Sequence, residues 1–393
     1  MKTEATWNEQ QNIEKLSTDN LSTYLRGLPA KAKMALRGLL HMGHGRLSIR
    51  MPDGRTVLIE GRAEGPDATL ILHNWNLAHR ALTGGTIGVA ESYIDGDWES
   101  PDVTAFLELF LVNVEVGDTL AGGARGISAH YDLGNAFYSK WLDETMTYSS
   151  ALYADGANDL ASAQTAKYRA LAQAAGLKAG DRVLEIGCGW GGFAEFAASE
   201  IGCHVTGLTI SREQLAFARQ RIEKAGLSDK VDLRFQDYRD ETGQYDGIVS
   251  IEMFEAVGEK YWPTYFSKVR ECLKPGGKAG LQIITIKPDA YEAYRANPDF
   301  IQRYVFPGGM LPTENHLKTL GETAGLDMVG HRAFGPDYGR TLAEWRQRFW
   351  DAWEDIQPMG FDLRFKRLWE FYMYYCEAGF RSGHINVRQV VYS

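Results

Sequence analysis

The sequence predicts an α/β protein: a doubly wound, mainly parallel sheet preceded by a smaller α+β domain. Its 393 residues exceed the size of one small domain. From about residue 162, short apolar strands alternate with longer helical stretches, the pattern of βαβ units. A glycine-rich segment at residues 117–127 separates this alternation from the preceding part. We therefore predict an amino-terminal domain at residues 1–120 and a larger domain at residues 121–393.

Two short helices and a hairpin are predicted in the amino-terminal domain. Leucines recur at near-helical intervals over residues 21–42, and Pro29 divides this stretch because proline interrupts helical hydrogen bonding. Two alternating apolar runs over residues 45–62 flank the turn sequence PDG at residues 52–54.

The larger domain contains six clear strand patterns and four helical ones. The strands are predicted at residues 183–186, 203–208, 231–235, 247–251, 278–286 and 385–391. The helices are predicted at residues 193–199, 212–225, 342–353 and 362–380. Because helices connect successive strands over residues 183–286, we expect a parallel sheet with helices on both faces.

Composition and charge exclude several classes of protein. With 44% apolar and 24% charged residues, the chain is neither disordered nor fibrous. No segment approaches the ~20 apolar residues of a membrane span, and the first residues lack the apolar core of a signal peptide. We therefore expect a cytoplasmic protein. The net charge of −9 disfavours nucleic acid as a partner, and the scattered cysteines indicate no metal site.

The most informative motif is VLEIGCGWGG at residues 183–192, between a predicted strand and a helix. Gly187, Gly189 and Gly192 fit GxGxxG, which is typical of dinucleotide sites. The next strand, however, ends without the acid that a dinucleotide ribose requires. Glu185, two residues before the first glycine, suits methyltransferases that bind S-adenosylmethionine. The motif therefore favours a Rossmann-like class I methyltransferase sheet, with a purely structural glycine turn as the alternative.

Two later strand ends carry polar residues. Asp237 and Tyr238 follow the third strand, where an acid and an aromatic ring can flank an adenine, although an ordinary loop is equally compatible. Glu252 and Glu255 follow the fourth strand, at the sheet edge where open α/β folds place their chemistry. Two acids are unusual at an apolar strand end, although either of them can simply cap the following helix.

Further motifs occur in a fixed order over residues 128–393. They are HYDLGN at 130–135, TYS at 147–149, GLTIS at 207–211, FE at 254–255, FPGG at 306–309, LP at 311–312, and Tyr338 before TL at 341–342. With the glycine loop, they make the sequence similar to the cyclopropane fatty acid synthase family. Members of this family transfer a methyl group from S-adenosylmethionine to a double bond in a phospholipid acyl chain. Residues 88–99 resemble the amino-terminal domain of full-length bacterial synthases.

The resemblance implies S-adenosylmethionine as the cofactor and assigns residues to each of its parts. They are Gly187 and Gly189 for the methionine portion, Thr209 and Gln214 for the ribose, Asp237 and Tyr238 for the adenine, Tyr148 and Ser149 over the cofactor, and Glu185 beside the glycine loop. His130 is expected to be functional through its motif.

The family also binds a bicarbonate ion, taken as the base that removes a proton, through a Cys, a Glu, a His, an Ile and a Tyr. Glu255, Ile284 and Tyr338 match this pattern, whereas Ser150 stands for the Cys and Gln282 for the His. Ser and Gln still donate hydrogen bonds but supply no thiol and no imidazole. The product is therefore left open between a cyclopropane and a methylated open chain, branched or unsaturated, as on a route to furan fatty acids.

Two surfaces are expected to meet the lipid. Aromatic residues of the last two helices are predicted to line an acyl channel, with a plain hydrophobic core as the alternative. Residues 24–62 carry eight basic and two acidic side chains, so a basic helix there is predicted to dock on anionic phospholipid at the inner membrane face. A solvated helix is the alternative for this segment, and a homo-oligomer is compatible with the sequence.

Two other functions are compatible with the same motifs. One is a small-molecule N-methyltransferase, because plant alkaloid enzymes share this core. The other is a lipid-binding protein with an inactive methyltransferase core.

Overall fold

The structure is a computed structural model that describes residues 14–113, 133–153 and 156–393. The chain divides into two compact units, Met1–Arg125 and Gly126–Ser393. The glycine-rich segment at residues 117–127 and His130 lie outside the described residues. Within the described ranges, no helix combines the length and hydrophobicity needed to cross a bilayer.

The amino-terminal unit contains a five-stranded sheet in the order β1-β3-β2-β4-β5. Its strands are β1 (Glu14–Lys15), β2 (His44–Arg50), β3 (Thr56–Glu60), β4 (Ala63–Leu72) and β5 (Trp98–Glu99). Its helices are α1 (Leu21–Tyr24), α2 (Ala30–Leu39), α3 (Asn76–Ile94) and α4 (Val103–Asn113). The two helices separated at Pro29 and the antiparallel hairpin of β2 and β3 confirm the sequence prediction.

Alternation explains why the hairpin forms. In β2, Leu47 and Ile49 are buried, and in β3 Val57 and Ile59 are buried, whereas residues between them are more exposed. One face of the sheet therefore packs inward while the other meets solvent.

The larger unit contains a seven-stranded sheet in the order β11-β12-β10-β9-β6-β7-β8. Its strands are β6 (Arg182–Ile186), β7 (His204–Thr209), β8 (Val231–Phe235), β9 (Tyr245–Ile251), β10 (Leu273–Ile286), β11 (Met328–Ala333) and β12 (Ile385–Tyr392). Strands β6 to β10 pair in parallel, and β12 runs antiparallel to both of its neighbours. The chain reverses its direction of winding between β6 and β9, the position where open α/β sheets bind ligands.

Helices precede and connect these strands. They are α5 (Gly134–Tyr138), α6 (Leu160–Ala174), α7 (Gly192–Phe196), α8 (Arg212–Lys224), α9 (Trp262–Cys272), α10 (Tyr291–Ala296), α11 (Phe300–Tyr304), α12 (Glu314–Thr323), α13 (Gly335–Asp351), α14 (Trp353–Ile356) and α15 (Leu363–Arg381). A π-helical turn, Ala197–Ile201, continues α7. The doubly wound α/β prediction is confirmed.

Two hydrophobic clusters cover the sheet. Neighbouring strand residues alternate between them: Val183 and Val249 belong to one cluster, Leu184 and Ile248 to the other. Because successive strand side chains point to opposite faces, the clusters lie on opposite sides of the sheet. The central strands are therefore shielded on both faces, and their carboxyl ends are left to form a site.

Candidate active site

The glycine loop begins where β6 ends. Gly187 has φ +84°, and a Cβ at this position would lie 2.7 Å from Cγ of Met253. The N–H groups of Gly187 and Cys188 donate to the carbonyl oxygen of Leu208 at 3.0 and 2.9 Å, which fastens the loop to β7. Only glycine adopts this positive φ without strain and also leaves room for the Met253 side chain.

The next part of the loop faces open space. Gly189 has φ +51°, and a Cβ there would meet no atom within 4 Å. Nearby in sequence, Glu185 is 3% exposed, and its Oε2 has no hydrogen-bond partner among the described residues. Burial raises the pKa of Glu185 to about 8. The loop and this unpartnered oxygen fit a ligand that approaches the backbone closely and donates a hydrogen bond.

The residues predicted for the ribose lie at the end of β7. Thr209 donates through Oγ1 to Oε1 of Gln214 at 3.3 Å. Ser211 caps α8 by accepting the N–H of Gln214 at 3.2 Å. The two predicted residues therefore lie side by side at the carboxyl edge of the sheet.

The residues predicted for the adenine follow β8. Asp237 accepts hydrogen bonds from the N–H and Nη2 of Arg239 at 2.9 and 2.7 Å, which lowers the pKa of Asp237. Tyr238 packs edge to face on Tyr265, with ring centroids 5.4 Å apart. Both residues lie at the same sheet edge as the glycine loop, and the Asp237 carboxylate is ion-paired.

The TYS segment joins the aromatic residues to a buried lysine. Tyr148 donates to the hydroxyl oxygen of Tyr372 at 2.8 Å. Ser149 accepts a hydrogen bond through Oγ from Nζ of Lys167 at 2.7 Å. Lys167 is fully buried, and burial lowers its pKa to about 7.

Aromatic rings from several segments surround Tyr148. Its ring centroid lies between 5.3 and 6.4 Å from those of Tyr138, Trp141, Phe306 and Trp345. Trp345 in turn contacts the ring of Tyr338, with centroids 6.0 Å apart. Trp345 of α13 and Tyr372 of α15 therefore belong to a buried aromatic cluster, and the acyl channel expected from the sequence stays a prediction.

Glu252, directly after β9, is the hub of a hydrogen-bond network. Its Oε1 accepts from the N–H of Ser150 at 2.9 Å and from Nε2 of Gln282 at 2.8 Å. Its Oε2 accepts from the hydroxyl of Tyr338 at 2.7 Å. Burial raises the pKa of Glu252, against the opposing effect of nearby Lys167 and these donors.

The amide of Gln282 is held in place from its other side. Oε1 of Gln282 accepts a hydrogen bond from Nε2 of Gln389 at 3.1 Å, which leaves Nε2 of Gln282 facing Glu252. The two glutamines are paired in register across β10 and β12, and both are buried. The antiparallel strand β12 therefore determines which group Gln282 presents to the site.

Glu255 has a different partner. Its Oε1 accepts the N–H of Ile284 at 2.5 Å, and its buried Oε2 has no hydrogen-bond partner among the described residues. Burial, followed by the charge of Glu252, raises the pKa of Glu255 to about 8.

The five positions predicted to hold bicarbonate thus divide into two groups. Three of them donate to the Glu252 carboxylate, and two pair with each other: Ser150, Gln282 and Tyr338 in the first group, Glu255 and Ile284 in the second. Because the donors already bind a carboxylate, the residues present do not fit an additional bicarbonate ion.

Glu252 is the functional candidate that the sequence noticed but did not assign. The sequence identified it only as a second acid at a strand end. The available signal was that two of the five bicarbonate-site positions depart from the family pattern and that an acid lies three residues before Glu255.

Comparison with known proteins places the chain in a family. The model of the mycolic acid cyclopropane synthetase family matches residues 120–390. The chain belongs to this family.

Relatives extend the similarity across both units. Tuberculostearic acid methyltransferase of Mycobacterium tuberculosis is 38% identical, with 93% of this chain and 92% of the relative covered. Cyclopropane-fatty-acyl-phospholipid synthase of Escherichia coli is 38% identical, with 83% and 88% covered. A solved mycolic acid cyclopropane synthase, bound to SAH and CTAB, is 25% identical with a TM-score of 0.62, covering 68% of this chain and 99% of its own.

The family settles three predictions. The resemblance stated from the motifs is confirmed, and so is the class I methyltransferase fold. The protein is an S-adenosylmethionine-dependent methyltransferase. The glycine loop and the unpartnered Oε2 of Glu185 fit this cofactor.

Proposed function

We propose that this family member transfers a methyl group to the double bond of an unsaturated fatty acyl chain in membrane phospholipid. The observation that carries the proposal is an aromatic enclosure next to a buried carboxylate. Tyr338 belongs to both, because its ring contacts Trp345 and its hydroxyl donates to Glu252. An apolar acyl chain would be covered by the rings at one end of this arrangement and meet a proton acceptor at the other.

The chemistry requires such surroundings. When bound, S-adenosylmethionine supplies an electrophilic methyl group: the π electron pair of the substrate forms the new C–C bond, and the pair of the broken C–S bond stays on sulfur. The acyl chain then carries a positive charge on the neighbouring carbon. Aromatic rings such as those of Tyr148 and Trp345, which pack with centroids 5.3 Å apart, can stabilise a nearby cation and exclude the water that would trap it.

The cation must lose one proton to a base. If the proton leaves the added methyl group, the C–H electron pair closes a cyclopropane ring. If it leaves a chain carbon, the pair forms a double bond in a methylated open chain. The names of the two relatives support an acyl substrate and point to different products, one methylated and one a cyclopropane.

The test is a product analysis with purified enzyme. Vesicles of dioleoyl phosphatidylglycerol are incubated with S-adenosylmethionine that carries a ¹³C-labelled methyl group. We expect label in the acyl chains by mass spectrometry, and proton NMR distinguishes ring protons from olefinic ones. Unlabelled acyl chains would overturn the proposal. Labelled amines, formed from a panel of small amines alongside unlabelled lipid, would instead identify an N-methyltransferase.

A basic surface on the amino-terminal unit supports docking on the membrane. Arg26 and Arg37 are exposed, Lys33 is half-buried, and Met34 between them is 53% exposed. Leu36 is buried on the inner side of α2. Each basic side chain near an anionic bilayer contributes about 1 kcal/mol, and Met34 supplies an apolar contact. This surface favours a peripheral location on the inner membrane face.

Charge reversal tests this surface. The variant R26E/K33E/R37E should bind phosphatidylglycerol vesicles at least about tenfold more weakly than the wild type, because three attractive charges become repulsive. Cosedimentation measures the affinity. The control K178E/K224E/K318E makes the same change in net charge at exposed positions of the larger unit and should bind normally. Equal affinity of all three proteins would contradict the assignment of this surface.

A further inference from the structure

We propose that Glu252 is the base of this reaction, and that its carboxylate takes the place of the external bicarbonate ion implied by the resemblance. The proposal rests on the proposed function, because the proton comes from the methylated acyl chain. It arises from the geometry around Glu252 and replaces the predicted ion with a side chain of the enzyme itself.

The donors define the position of an anion with two oxygens. A backbone N–H, an amide Nε2 and a phenol hydroxyl approach one carboxylate from three separate segments, those of Ser150, Gln282 and Tyr338. Carboxylate and bicarbonate share the same planar OCO group, so this donor set suits either of them. Here all three donors already bind Glu252.

Charge excludes a second anion from the same place. Glu255 is close enough for Glu252 to raise its pKa, and Lys167 is the buried cation that acts on Glu252. A bicarbonate ion would bring a second negative charge beside the Glu252 carboxylate, because Glu255 with its raised pKa is a neutral acid at neutral pH. Burying a charge without a partner costs several kcal/mol, so binding of the ion is unfavourable.

The backbone conformation of Glu252 favours these hydrogen bonds to its carboxylate. Glu252 has φ +49°, and among the described residues Met146 is the other non-glycine residue with a positive φ. The N–H of Glu252 donates to the carbonyl oxygen of Gln282 at 2.8 Å, while Nε2 of Gln282 donates back to the Glu252 carboxylate. Such a conformation costs about 1–3 kcal/mol and persists where surrounding contacts determine it.

The step balances with the carboxylate as acceptor. A C–H bond of the acyl cation breaks, its electron pair closes the ring or forms the double bond, and the proton moves to Glu252. The carboxylate becomes a neutral acid that retains the hydrogen bonds of Gln282 and Tyr338. The proton passes to water after the product leaves.

The first test compares the wild type with E252Q. Wild-type turnover in carbon-dioxide-free buffer should remain within about twofold when bicarbonate is added. E252Q should lose about 100- to 1,000-fold in kcat, the range expected for loss of a general base, and retain its affinity for S-adenosylhomocysteine. Bicarbonate should not rescue it, because the amide fills the same space.

The second test removes the Glu252 side chain and so makes room for an external anion. Glycine suits φ +49°, so E252G should fold, leave three donors free, and regain turnover when bicarbonate or formate is added. NMR with ¹³C-labelled bicarbonate should detect binding to E252G and none to the wild type. M146G, which relieves the same backbone strain elsewhere, should gain no binding.

Three results would overturn the proposal: wild-type turnover that depends on bicarbonate, labelled bicarbonate bound to the wild type, or E252Q with wild-type kcat. A wild type that modifies no lipid would contradict the proposed function instead. The labelled-bicarbonate comparison needs no acyl substrate, so it still tests whether Glu252 replaces the ion.

Discussion

Two regions at the carboxyl edge of the larger sheet are built in different ways. The glycine loop after β6 consists of neighbouring residues, and its conformation depends on glycines such as Gly187 and Gly189. The pocket around Glu252 draws Ser150, Gln282 and Tyr338 from distant parts of the chain. A contiguous motif can be identified from the sequence. In a dispersed site, different residue types at the separate positions can still supply a full set of hydrogen bonds, so the sequence identifies it less easily.

The largest expected effect on cofactor affinity concerns the glycine loop. In G189A the new methyl group would extend into the open space in front of the loop, where the cofactor must approach. Affinity for S-adenosylhomocysteine should fall about 100-fold, equivalent to ~2.7 kcal/mol and within the range for an overpacked site. Isothermal titration calorimetry measures it.

Gly226 provides the matched control. It also has a positive φ, +67°, and a Cβ there would meet no atom within 4 Å. G226A should lose about as much stability as G189A, roughly 1 kcal/mol, and bind the cofactor product normally. If G189A also bound normally, the loop would not be the part of the enzyme that holds the cofactor.

A smaller effect, on kcat, is expected when the Tyr338 hydroxyl beside Glu252 is removed. Y338F removes a donor that lowers the pKa of Glu252, so this pKa should rise. A base with a higher pKa is less ionised at neutral pH. We expect about a tenfold lower kcat there, recovering as the pH rises. The pH profile of kcat measures this shift. The control Y372F removes a hydroxyl bonded to Tyr148 and should leave the low-pH limb of that profile unchanged.

The pH dependence of stability separates the two acids. The pKa of Glu255 is about 8 in the folded protein, whereas an unfolded glutamate titrates near 4.5. Between these values the folded state binds more protons, so the free energy of unfolding decreases as pH rises from 4.5 to about 8. E255Q lacks this titration. The wild type should therefore lose stability relative to E255Q across that interval in urea unfolding, and a constant difference would contradict the buried, protonated state.

The contrast between contiguous motifs and dispersed groups explains what the sequence could and could not predict. The parallel strands followed from local apolar runs. No helix was predicted over Asn76–Ile94, where α3 contains Gly84 and Gly85 and has non-helical backbone angles at Gly85. Strand β11 was missed because four of its six residues are exposed and carry no alternating pattern.

In the site, the family motifs located the glycine loop and the aromatic residues without any geometry. They could not locate the role proposed for Glu252, because it depends on a left-handed backbone and on Gln389 fixing the amide of Gln282 across two strands. Neither property is encoded in the residues next to Glu252.

The left-handed backbone at Glu252 has a consequence at the level of the gene. Glycine is the residue that tolerates φ +49° best. Two of the glycine codons differ from the glutamate codons only at the second base. A single nucleotide exchange therefore interconverts glycine and glutamate at this position without any change in the course of the chain. If Glu252 is the base, the glycine form would depend on an ion from solution.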